Sequence, residues 1–377
     1  MDARYRGDLD ELIAGSNTTT SFEQVVLDIA ARNGLSEVRC NSTRVVLPLT
    51  DVARLPRSEP WVYLARAAHG RPGGAPYQDV LAVARAAVAR GGVSFPLDLA
   101  RYTETWKRWE FSSRRRLVTT MIELSDFHSI APAQRLLPAE LDVAIKARYG
   151  TTATPRSAQV FGRGVNHAVG GGLTNLGLDM PGALAPGVRA ELDQAYSDFL
   201  EEQLLLGPHD FSALPAGVLA IMDKMTQDVE FAEGSAALEE RMATSGYGRG
   251  ERLRRVVSAT ELRDILRPLI EALSRSGLDP DGFIDSGREA MSTFIDELPT
   301  RSLTSALRYD KFASQQAWEP NDLDDIVALP IAAVHCDVVV TEDQWVSSLR
   351  RAGVPARFNT TLLSDLRQLT PLLTTAA

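Results

Sequence analysis

The stretch NDLDDIVALPIAAVHCDVVVTEDQW, Asn321 to Trp345, holds the densest group of side chains suited to chemistry. Asp322 and Asp325 stand three residues apart where helical spacing begins, so a helix there turns both carboxylates the same way. Acids at a helix start are also favoured by the helix dipole, which gives the same pattern a purely structural reading. The following CDVVVTED reads as a strand whose C-terminal end presents Glu342 and Asp343. In an α/β sheet, ligands bind beyond the carboxyl ends of strands, so acids from the helix start and the strand end could converge. Oxygen ligands of this kind suit Mg2+ or Mn2+ better than zinc or copper.

Other side chains carry weaker signals. Two basic patches stand out, Lys107–Arg108 followed by Arg114–Arg116, and Arg249–Arg255. Each reads by default as a solvated helix face. His335 and Cys336 are adjacent and lack the spacing of a chelating pair. His128, His167 and His209 are scattered and form no triad pattern, and Asn166–His167 in a glycine-rich stretch reads as a turn. Trp61, Trp106 and Trp109 read as packing residues before base-stacking platforms.

Helices must position most of these groups. Pro60 to Ala68 opens with a proline and stops at the HGRPGG turn. Tyr77 to Arg90 places Val80, Leu81, Val83, Ala84 and Ala87 on one stripe, which predicts a second helix. VSFPL is expected to be a short buried strand, followed by helices over Asp98–Trp109, Ser112–Ser125 and Pro138–Tyr149. Phe161 to Gly187 is dense in Gly and Pro and predicts a loop, a linker or a mobile cover. Arg189 to Leu307 is almost purely helical in pattern. The chain then closes with a helix from Asp322 to Val334, the CDVVVTE strand, a helix from Gln344 to Ala352 stopped by Gly353, and two short elements. Near the N-terminus, Phe22–Arg32 reads as a helix and Thr43–Asp51 as a short strand ending in an acid. Strand, helix and strand at both ends, with helices between, predict an α/β core carrying a helical insertion.

The bulk numbers bound the function class. The chain has 377 residues, 44% of them apolar and 24% charged, the profile of a globular protein. No apolar run reaches the length of a membrane span, and the polar, acidic start lacks the features of a signal peptide. Only Cys40 and Cys336 are present, without paired spacing, which argues against a disulfide scaffold and fits a reducing cytoplasm. A net charge of -9 disfavours nonspecific coating of nucleic acid but is compatible with a carboxylate-lined site.

The Asn321–Trp345 segment resembles the C-terminal signature of bacterial PIN-like proteins, in which an ND…D helix leads into a CD-hydrophobic-TE/D strand. VSFPLDLARYTETW, WVYLARAAHGRPGGAPYQD and FGRGVNHAVG resemble further pieces of that family, in the same order. The resemblance covers roughly residues 44–170 and 310–365. It implies a PIN-like three-layer α/β core with a central, mostly parallel sheet, and a metal-dependent ribonuclease using Mg2+ or Mn2+ to hydrolyse RNA. By position it implies Asp325, Glu104, Asp337 and Asp51 as catalytic carboxylates, and Asp325, Asp322, Glu104, Asp337 and Glu342 as metal ligands. Arg114, Arg115 and Arg116 are then expected to contact the RNA backbone. One departure stands out: the family's first-strand aspartate is replaced here by Arg57, with Asp51 the nearest strand-ending acid. That substitution supports an alternative, a catalytically degenerate PIN-like protein that binds RNA or protein. The expected organisation is an N-terminal helical extension (1–40), an N-terminal half of the domain (41–170), a helical insertion (171–310) and a C-terminal half (311–377). The insertion also suits a homo-oligomer contact.

Overall fold

The apolar spacing read along the chain produces helices, and the helices produce the core. The computed structural model describes residues 60–106, 108, 110–171, 185–207, 234–242, 250–314, 317–319 and 322–375. The expected extension 1–40, the Thr43–Asp51 strand, Arg57 and residues 172–184 of the glycine-rich stretch lie outside them. In the first described part, α1 (Pro60–Ala68), α2 (Gln78–Ala89), α3 (Leu99–Trp106) and α4 (Phe111–Ser125) follow closely on one another. β1 (His128–Ile130), α5 (Ala133–Tyr149), β2 (Phe161–Arg163) and α6 (Pro186–Leu206) complete it. The middle holds α7 (Gly250–Arg275), α8 (Arg288–Asp296) and α9 (Pro299–Ser314). The last part runs α10 (Asp322–His335), β3 (Val338–Val340), α11 (Asp343–Arg351), β4 (Thr361–Leu363) and α12 (Leu369–Thr375).

The expected three-layer core with a central, mostly parallel sheet is not what this chain forms. Among the described residues there are four strands of three residues each, in two separate two-stranded sheets. β1 pairs antiparallel with β2, and β3 pairs parallel with β4. Three residues per strand cannot present a layer for helices to cover on both faces. The physical cause is visible in the segments read as strands. VSFPL keeps a single bridge, Leu97 to Ser129, because Pro96 offers no N–H to a ladder. In CDVVVTE only the three valines extend, since α10 runs on to His335 and α11 begins at Asp343. The protein is mostly helical, with one β3–α11–β4 crossover unit preserved near its C-terminus.

Helix faces meet in a few apolar clusters. Val80, Leu81, Ala84 and Ala87 of α2 pack with Leu64 of α1 and Leu369 and Leu373 at the C-terminus. Leu303 and Leu307 of α9, Ile326 of α10, Val339 of β3, Trp345 and Leu349 of α11 and Leu362 of β4 form another. Leu137 and Leu141 of α5 interlock with Ile265 and Leu269 of α7 and Phe294 of α8. Each fully buried Leu or Ile contributes about 1.5–3 kcal/mol relative to exposure. This burial, and not strand pairing, positions the groups described next. Gly353 ends the α11 region with φ +77, a left-handed conformation that glycine adopts without strain.

Candidate acidic site

The start of α10 brings three aspartates together, and their surroundings separate them. Asp322 is buried and turned toward α9, where its carboxylate lies 2.9 Å from Lys311 Nζ. Its Oδ2 also accepts the Glu319 backbone N–H at 2.7 Å. Both bonds fasten the helix start, so the Asp322 carboxylate is engaged by Lys311 and the backbone. Asp325, one turn later, accepts the Trp345 indole N–H at 2.8 Å. Burial pushes its carboxyl up to about 7, and the charges of Glu342 and Asp324 act in the same direction. The Arg101 guanidinium and the indole N–H partly offset that push.

Arg101 connects α3 to this site. Its guanidinium lies 3.5 Å from Asp98 and 3.5 Å from Glu104. The three residues follow an i, i+3, i+6 spacing, so one face of α3 presents acid, base and acid. Asp98 also accepts the Arg101 backbone N–H at 2.9 Å at the helix start. Glu104 is nearly enclosed, with 11% of its side chain exposed. Glu342 is half-buried just before α11 and accepts from Gln344 Nε2 at 2.9 Å. The site therefore draws Asp325 from α10, Glu342 from the end of β3 and, through Arg101, Glu104 from α3.

The remaining candidates fall elsewhere. Asp337 is exposed, its carbonyl accepts the Thr361 N–H at 2.8 Å, and Asp343 is exposed on the first turn of α11. Asp51 lies outside the described residues. Arg114 does not face solvent, as a backbone-contacting role would need. It is 2% exposed and donates to the Leu206 carbonyl at 3.2 Å, and burial lowers its guanidinium pKa. Arg115 and Arg116 are half-buried; Arg115 lies over the Phe111 ring and acts on Glu202, while Arg116 donates to Ser112 at 3.3 Å. Trp106 is a packing residue, its indole bonded to the Leu204 carbonyl at 2.7 Å. Lys107, Trp109 and His209 lie outside the described residues. Cys336 is a poor metal ligand here, because burial and then Asp337 and Asp98 push its thiol up to about 11.

Reading the residues in isolation missed Arg101, Asp98 and Trp345. The i, i+3, i+6 charge pattern around Arg101 was the available signal, since it sits on the same helix as Glu104. Chemically, a carboxyl near neutrality beside a second carboxylate can take or give a proton. It can equally be relieved of repulsion by a divalent cation. Among the described residues, no three His, Cys, Asp or Glu side chains are grouped closely enough to hold a metal ion by themselves. Mg2+ commonly uses one or two carboxylates and completes its shell with water, so the pair Asp325 and Glu342 fits its donor chemistry. Nor is any helix, among those described, long and apolar enough to cross a membrane. Comparison with protein-family models, with curated proteins and with solved structures finds no match to this chain.

Proposed function

We propose that this protein is a cytoplasmic hydrolase of RNA phosphodiester bonds, working through a divalent cation, Mg2+ or Mn2+, held by Asp325 and Glu342 with Glu104 nearby. The observation that carries the proposal is the placement of Asp325 and Glu342. Two carboxylates from different elements are set close enough to repel each other on a half-buried surface, an arrangement that disfavours the empty, fully ionised state. A bound cation would supply charge for the developing oxyanion and lower the pKa of a bound water. The chain's own groups hold and orient: Trp345 fixes the Asp325 carboxyl, and Arg101 holds Glu104 against α3. The likeness of Asn321–Trp345 to PIN-like nucleases supports the reaction class, while the helical architecture departs from their core.

A second reading is favoured by one feature. Arg101 already balances Asp98 and Glu104, so a resident guanidinium does part of what a metal would do. Together with Arg57, this suits a protein that binds RNA or a protein partner without cleaving it. Titration of Mn2+ and Mg2+ into chelator-treated protein, followed by the thermal midpoint, separates the two. A saturable rise that is lost in Asp325→Asn, together with cleavage of an RNA oligomer, is the result expected of the hydrolase. No shift at millimolar metal, with RNA binding untouched by chelator, supports the binding protein instead.

A further inference from the structure

Away from the acidic site, α1 and the start of α4 enclose a cleft of about 340 Å³. Arg66, Arg71, Arg108 and Arg116 line it, and Glu110 is the one acid among the lining residues. Arg116 is 3.8 Å from Glu110, so that carboxylate is already engaged. Arg66 and Arg71 are exposed, and neither has an ion-pair partner among the described residues. Like guanidinium charges placed around one concavity repel each other, and the single Glu110 carboxylate offsets only part of that charge.

The walls are built to hold that arrangement. Ala65 of α1 and Leu117 and Val118 of α4 share a buried apolar cluster. The His69 ring bonds the Arg116 carbonyl at 3.1 Å, which ties the end of α1 to α4. The first turn of α4 carries no acid, and Glu110 makes no side-chain cap to it. Its N–H groups therefore add positive potential beside Ser113, which lines the same cleft.

We propose that this cleft is a binding site for a run of phosphates, recognised by Arg66 and Arg71 with Arg108, Arg116 and the first turn of α4. The shared chemistry is two or more successive phosphate groups, supplied either by a single-stranded RNA backbone or by the triphosphate of a nucleotide. Guanidinium forks match phosphate oxygens in pairs, and the cleft is of the size that holds one nucleotide-sized ligand. The site is separate from the carboxylates of the hydrolase reading and stands without them.

Binding is measured in excess chelator, which removes any contribution from a metal. The probe is a fluorescein-labelled single-stranded oligouridylate, followed by anisotropy across a salt series, with ATP as competitor. Wild-type protein is expected to bind saturably, and Arg66→Ala/Arg71→Ala to bind at least tenfold more weakly. Losing two phosphate contacts also lowers the slope of log affinity against log salt by about 1.4. Arg66→Lys/Arg71→Lys retains most of the slope, and Arg267→Ala, a side chain 91% exposed on α7, changes nothing. Both arginines are exposed, so the alanine variant is expected to keep the wild-type thermal midpoint. Competition by ATP with the same variant dependence assigns the ligand as a nucleotide triphosphate; RNA binding without ATP competition assigns it as a strand. The proposal is overturned if wild-type protein binds neither probe at low salt, or if the double alanine variant keeps the wild-type affinity and slope.

Discussion

Asp325→Asn is a sharp test of how the acidic site is built. In the folded protein the carboxyl is raised from 3.8 to about 7, chiefly by burial. The unfolded chain therefore loses its proton near pH 4, while the folded chain keeps one until near neutrality. Between those values the folded state binds more protons, so stability falls as pH rises, and it levels off above about pH 7. A shift of about three units corresponds to a ceiling of ~4 kcal/mol, reduced in practice because the residue is only half-buried and keeps some water. Asparagine preserves an acceptor for the Trp345 indole and cannot ionise. Urea denaturation at pH 5 and pH 8, in chelator, reads the effect. At pH 5 the variant is expected to be ahead by no more than ~1.6 kcal/mol, because folded Asp325 is then neutral and only the unfolded carboxyl has ionised, about one unit above its ordinary value. At pH 8 the variant is expected to be more stable, by as much as ~4 kcal/mol. With Mn2+ at a hundred times its Kd the gap narrows, since the ligand adds about 2.7 kcal/mol to wild type alone. A variant less stable than wild type at pH 8 in chelator would refute the reasoning. The ionised carboxylate would then be a net favourable partner of Arg101.

Two further outcomes are expected. Glu261 has no exposed surface and lies 2.7 Å from Arg308 and 3.5 Å from Arg301, so Arg308→Ala strands a buried charge and is expected to cost about 3–5 kcal/mol. A loss below about 1 kcal/mol in urea denaturation would show that Arg301 alone suffices. In a Cys40→Ser background, the Cys336 thiol at about 11 leaves roughly a hundredfold less thiolate at neutral pH than a thiol at its ordinary value. Its reaction with a disulfide reagent in the folded state should be slower by about tenfold, because the scarcer thiolate is also the stronger nucleophile, and labelling at the rate of a free cysteine would contradict its placement.

Much of the local structure was legible in the chain. The proline at position 60 and the stripe Val80, Leu81, Ala84 and Ala87 marked α1 and α2 correctly, because i, i+3, i+4 spacing is a property of one helix alone. The start of α10 at Asp322 and the stop at Gly353 were equally readable from caps and turn chemistry. Strand length was not. The valines of β3 have high strand propensity, yet only three of them pair, because the helices on either side take up the adjoining residues.

The acidic site divides along the same line. The sequence by itself determined which helix starts and strand end carry acids, since those positions follow from short-range spacing. Only the tertiary structure decided their roles. It sent Asp322 to Lys311, left Asp337 in solvent, turned Arg114 into the core and brought the charge of Arg101 to Asp325. The reason is that a carboxylate's neighbours, and hence its charge state, depend on which faces of distant helices bury against one another. That choice is made by the apolar contacts of the whole chain and leaves no mark in the spacing of any one segment.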